Sequence, residues 1–89
     1  MVVGKSMEPT YTHGTRVIAC KKLFAPINKN DIIIAKDPRN DRLLIKRIKD
    51  MHNNLFLLLG DNKEESTDSR QFGWVKKKDI IARVIYPKP

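Results

Sequence analysis

One cysteine, two histidines and three serines in 89 residues leave few side chains able to do covalent or metal chemistry. A single cysteine, Cys20, excludes an internal disulfide and a zinc cage built from thiolates. It closes the apolar run Val17-Ile18-Ala19-Cys20, where a thiol reads as a buried and inert small hydrophobe. His13 and His52 each stand beside turn residues, with no paired His/Cys spacing, so neither a metal site nor a cofactor is expected. Long apolar runs are missing too. No stretch approaches the ~18 residues needed to span a bilayer, and no signal-peptide pattern precedes Gly4. The expectation is a soluble, cytoplasmic protein without an integral membrane segment; membrane association would need an anchor upstream of Met1.

Acidic residues are also in short supply. Eighteen Lys and Arg against ten Asp and Glu give a net charge of +8, with basic clusters at Lys76-Lys77-Lys78 and around Lys46-Arg47-Lys49. Such a balance invites a nucleic-acid reading. The six aromatics are scattered, however, and no helix-turn-helix or RNA-binding signature is present. A solvated lysine-rich surface, with no nucleic-acid partner, is the expectation.

What remains is a chain of short strands. Its length suits one small domain spanning residues 1–89. Apolar or β-branched runs at Arg16–Cys20, Ile32–Ala35, Leu43–Ile48, Leu55–Leu59, Phe72–Val75 and Ile80–Tyr86 alternate with turn signals. These signals are Thr12-His13-Gly14, Asp37-Pro38-Arg39-Asn40-Asp41, His52-Asn53-Asn54 and Gly60-Asp61-Asn62. Frequent turns and little helix predict an all-β, barrel-like or folded-sheet core.

Three stretches could carry chemistry. In Gly4-Lys5-Ser6-Met7-Glu8-Pro9-Thr10 an apolar entry ends at a serine and Pro9 breaks the strand. Ser6 is thus expected at a strand-to-turn junction. A Ser-His-Asp triad would need a histidine held between serine and acid; both histidines look like turn residues, and a lysine offers another base. In Leu43–Ile48 the side chains alternate, so Leu44, Lys46 and Ile48 share a face. Burial there would disfavour the ammonium form of Lys46. Neutrality at pH 7 requires a fall of roughly three units from ~10.4, about 4 kcal/mol. Lys5 is nearer in sequence but points to the opposite face from Ser6. By periodicity alone, a snorkelling or edge-protecting charge is the more ordinary reading of Lys46. The third stretch, Gly60-Asp61-Asn62 through Ser66-Thr67-Asp68-Ser69-Arg70, reads by itself as a polar loop. It holds a potential Asp68–Arg70 ion pair and hydroxyls able to reach an amine.

Taken in order, these stretches resemble the type I signal peptidase family of Ser-Lys serine proteases. Gly4–Thr10 is similar to the nucleophile box, Lys46-Arg47 to the general-base box, and Gly60-Asp61-Asn62…Ser66-Thr67-Asp68-Ser69-Arg70…Gly73 to the last box. The resemblance runs from Gly4 to about Val84 and implies a serine endopeptidase with a β-rich catalytic core. It assigns Ser6 as nucleophile, Lys46 as general base and Ser66 as the hydroxyl orienting the lysine amine. It implies that Asp61, Asn62, Asp68 and Arg70 support the site, with Asp68 and Arg70 as a salt bridge. Met7 and Ile45 would line a shallow substrate pocket. The oxyanion donor would be the Ser6 amide; Gly4 stands where many relatives carry a second, hydroxyl donor. Only thirteen residues separate Lys46 from Gly60, where membrane-bound members often carry a large insert. That compactness resembles the nickel-type superoxide dismutase maturation proteases, which implies a propeptide-bearing partner, the pro-form of that dismutase. A membrane signal peptidase core and a non-enzymatic basic nucleic-acid-binding module are the alternatives.

Overall fold

A computed structural model describes residues 2, 4–21, 27–62, 64 and 67–87. Its framework is a six-stranded antiparallel sheet: Ile18–Lys21 (β1), Ile32–Lys36 (β2), Leu43–His52 (β3), Leu55–Leu59 (β4), Val75–Lys76 (β5) and Ile80–Tyr86 (β6). The spatial order is β1-β6-β2-β3-β4-β5. Strands β2 to β5 thus form a meander, and β6 returns to lie between β2 and β1. The all-β class expected from the sequence is the class observed.

Alternation along the strands explains the core. Ile33 and Ala35 join Ile48, Phe56, Leu58, Val75 and Ile80 in one buried cluster. Ile32 joins Val2, Met7, Tyr11 and Val84 in a second, with Ile34 and Ile45 packed against it. Neighbouring residues of β2 therefore serve opposite faces, as a period of two requires. With both faces covered, β2 reads in the sequence as a continuous apolar run, Ile32-Ile33-Ile34-Ala35, without polar alternation.

Two elements differ from the sequence reading. Strand β3 continues past Ile48 to His52, across a register shift between Ile48 and Asp50. The extra residue, Lys49, is a β-bulge, which lets a run of polar residues continue the strand on an exposed hairpin. Asn53 and Asn54 turn that hairpin, both with positive φ (49° and 62°), as a tight two-residue hairpin connection requires. The stretch Phe72–Val75, expected as a strand, is split. Ser69–Phe72 forms one helical turn (α1), Gly73 follows with φ 83°, and β5 holds only Val75–Lys76. A capping box wins here. The Asp68 carboxylate caps the helix start, and the Gln71 side chain accepts from the Asp68 amide at 2.9 Å.

Candidate active site

Ser6 lies in a backbone turn built on a buried anchor. Val2 pairs with the segment 14–15 through two backbone bonds, Val2 N–H to Thr15 O and Gly14 N–H to Val2 O, each 2.8 Å. Gly4 then takes φ 83°, a value that an L side chain would strain. The chain reverses through bonds from the Glu8 amide to Lys5 O (3.1 Å) and from the Tyr11 amide to Met7 O (2.9 Å). Met7 is fully buried, and buried Tyr11 donates its hydroxyl to the carbonyl of Pro87. Ser6 is held half-exposed between the exposed Lys5 and this plug. The turn, rather than a strand end, positions it.

Lys46 lies opposite Ile33 in the β2–β3 register, in the strand position that the alternation places beside Ile48. It is 4% exposed, and its Nζ donates to Ser6 Oγ at 2.9 Å. Burial pushes its pKa below the ordinary lysine value; the Asp68 carboxylate opposes that shift and the Arg70 guanidinium adds to it. The cause is desolvation of an ammonium group.

The loop after β4 ties these two residues together. Strand β4 ends at Leu59, opposite Arg47 and one register step short of Lys46. The Asn62 amide then donates to Ser6 O at 2.7 Å. Asp61 takes a bidentate pair from Arg47, at 2.8 and 2.9 Å, and a bond from the Thr10 hydroxyl. Burial works to raise the Asp61 pKa, but the Arg47 and Thr10 hydrogen bonds hold it below the usual carboxylate value. The turn that carries Ser6, the strand that carries Lys46 and the loop after β4 thus meet on one carboxylate.

Asp68 is fully buried and accepts from the amides of Gly60 (2.8 Å) and Arg70 (3.1 Å) and from the Arg70 guanidinium (3.0 Å). The pairing raises the Arg70 pKa through its hydrogen bond to Asp68. Ser69 Oγ accepts from the Leu58 amide at 2.8 Å. Strand β5 pairs with β4 only at Leu55 and Phe56. Ser69 and Asp68 therefore take over the outward amides of Leu58 and Gly60, two residues apart, where a neighbouring strand would otherwise bond.

Met7, Ile45, Ser6 and Lys46 all line an open hollow of about 300 Å³, together with Val2, Val17, Ile34, Leu43 and Leu44. Gly4 has a different place. Its amide donates to His13 Nδ1 at 2.8 Å. Ser66 lies outside the described residues. Sequence reasoning set His13 aside as a turn residue and gave Thr10 and Ser69 no role beyond their places in the two boxes. The Thr10–Asp61 bond closes across 51 residues, which no local pattern signals. The Asp68…Gln71 capping signature marks a helix start at Ser69 but does not signal the bond its hydroxyl takes from the Leu58 amide. No group of three metal-binding side chains and no helix long and apolar enough to cross a membrane occurs among the described residues.

A hydroxyl and a buried amine in contact at the floor of an apolar hollow form an arrangement suited to acyl transfer at a peptide bond. The chain belongs to the signal peptidase family, peptidase S26, whose model matches residues 1–52 and 49–87. It is thus a signal-peptidase-like serine protease at the level of the family. A comparison with curated proteins returns no match.

Proposed function

We propose that residues 1–89 act as one catalytic domain, a serine endopeptidase with Ser6 as nucleophile and Lys46 as general base. The observation that supports it best is the 2.9 Å contact between Ser6 Oγ and a buried Lys46 Nζ whose pKa is lowered. In its neutral form the amine accepts the Ser6 proton as Oγ attacks the scissile carbonyl. The ammonium then protonates the leaving amine, leaving an acyl ester on Ser6. Lys46, neutral again, takes a proton from water as the water attacks that ester, and returns it to Ser6 Oγ on release of the acid. The Ser6 amide is the proposed oxyanion donor, and Gly4 contributes the positive φ that turns the chain into Ser6. Ser66 is the proposed hydroxyl that orients the amine, with Asp68 and Arg70 supporting it. Met7 and Ile45 favour small apolar substrate side chains in the hollow.

The proposed substrate is a protein bearing a short N-terminal propeptide or leader, with pro-nickel superoxide dismutase preferred. The tight Asn53-Asn54 hairpin between base strand and final loop supports a compact maturation protease. Co-expression with pro-nickel superoxide dismutase, followed by mass measurement of its N-terminus, tests this. Trimming by the native protein and none by Ser6→Ala is the expected result. A secretory preprotein cleaved in its place would favour a signal peptidase core.

A further inference from the structure

We infer that His13 is a positioning residue for the nucleophile turn, acting through Gly4 only while its imidazole is neutral. The inference rests on the assignment of Ser6 as nucleophile. The geometry is specific. Gly4 N–H donates to His13 Nδ1 at 2.8 Å, so Nδ1 must carry a lone pair, and in the neutral ring the proton sits on Nε2. This bond continues the pairing made by Val2 with Gly14 and Thr15, and it is the last one before the turn at Lys5. It falls at a residue with φ 83°, a flexible glycine two positions before Ser6. On the other side, Ser6 O is held by the Asn62 amide at 2.7 Å. Ser6 is therefore clamped from both sides, and one clamp is an imidazole.

Protonating His13 turns Nδ1 into a donor facing another donor. The bond is lost and two N–H dipoles oppose each other. Among the described residues the Gly4 amide is the hydrogen-bond partner recorded for the ring, and no carboxylate forms an ion pair with it. The charged residues flanking the two bonded positions are exposed Lys5, exposed Arg16 and the half-buried Glu8. Protonation of the ring thus releases the Gly4 side of the turn.

The test compares native protein with His13→Asn and His13→Ala. Asn places Oδ1 near the Nδ1 position, an acceptor that does not titrate; Ala removes the acceptor. By proton–nitrogen NMR of the native protein, the Gly4, Ser6 and Met7 amide shifts should move together with the His13 ring titration. In His13→Asn, which has no imidazole, that coupled movement should be absent. On a fluorogenic peptide spanning the pro-nickel superoxide dismutase junction, His13→Ala should lose about tenfold in kcat/KM at pH 8, within the ~10²-fold cost of a misplaced group. His13→Asn should recover most of that loss. The pH profile of the native protein should carry a loss of kcat/KM that accompanies protonation of the His13 ring, and the profile of His13→Asn should lack it. A Gly4 amide that ignores the His13 titration overturns the inference. So does a pH profile shared by all three proteins. If the peptide is not cut, the NMR comparison decides alone, because it needs no substrate. An active Ser6→Ala protein would instead sink the nucleophile assignment and leave the amide result standing.

Discussion

Asn62 donates its backbone N–H to the carbonyl of Ser6 at 2.7 Å, so the loop that leaves β4 and the turn that carries the hydroxyl are one hydrogen-bonded unit. The bond uses main-chain atoms only. Its strength depends on where Gly60-Asp61-Asn62 is held, and Asp61 holds it through Arg47 and Thr10.

Removing either proposed reacting group should end proteolysis without unfolding the chain. Ser6→Ala and Lys46→Ala are expected to lower kcat by at least ~10³-fold, since groups acting as a unit fail together. Circular dichroism should show native strand content in both. Comparable turnover in either variant would contradict the dyad.

Lys46→Met should be inactive yet more stable, by about 1 kcal/mol, because an apolar side chain replaces a buried ion. The sign of the pH dependence follows from the lowered Lys46 pKa. The unfolded chain binds more protons between that lowered value and the ordinary 10.5, so native stability rises with pH across this window. The advantage of Lys46→Met should be greatest at and below the lowered value and vanish near pH 10.5. Denaturant melts from pH 6 upward would show a constant gap if Lys46 were not shifted.

Asp68 and Arg70 should tune Lys46, the proposed base, in opposite directions. The Asp68 charge raises the Lys46 pKa and the Arg70 charge lowers it. Asp68→Asn is therefore expected to move the acid limb of kcat/KM to lower pH, and Arg70→Met to move it to higher pH. Shifts in the same direction would assign both effects to distortion of the loop.

Asp61→Asn should cost about 2–3 kcal/mol, since it leaves the partly buried Arg47 short of its charge partner. The lowered Asp61 pKa gives stability that is fully present above the unfolded carboxylate value and lost as pH falls through the folded one. The gap between native and variant midpoints should hold at neutral pH and close in acid. A gap independent of pH down to 2 would show that the carboxylate charge contributes nothing.

The inner strands were legible because each carries a pattern that survives burial. Ile32–Ala35 is apolar on both faces, and the alternation of Leu44, Lys46 and Ile48 put the lysine on an aliphatic face without choosing between burial and snorkelling; the structure buries it almost completely, opposite Ile33. Legibility failed where one residue changes the phase. Lys49 resets β3, so the exposed Asp50 and Met51 fall outside the run Leu43–Ile48 and His52 reads as turn, when all three are strand. It failed again at Ser69–Phe72, where side-chain caps outweighed the aromatic strand signal of Phe72 and Trp74. The contacts that assemble the site, Thr10 with Asp61 and Lys46 with Ser6, join residues 51 and 40 apart. Apolar periodicity assigns faces, but it does not assign partners at such separations.

The two-asparagine turn at Asn53-Asn54 has one more consequence. The bulge at Lys49 separates the hairpin tip from Lys46, and the Ser69 and Asp68 side chains fasten β4 on the near side of that tip. Additional chain grafted at the tip would load the distal hairpin while the Leu58 and Gly60 amides stay fastened. The position is a natural socket for a reporter, a tether or a recognition module, and peptidase variants with new addresses could be built there without redesigning the centre.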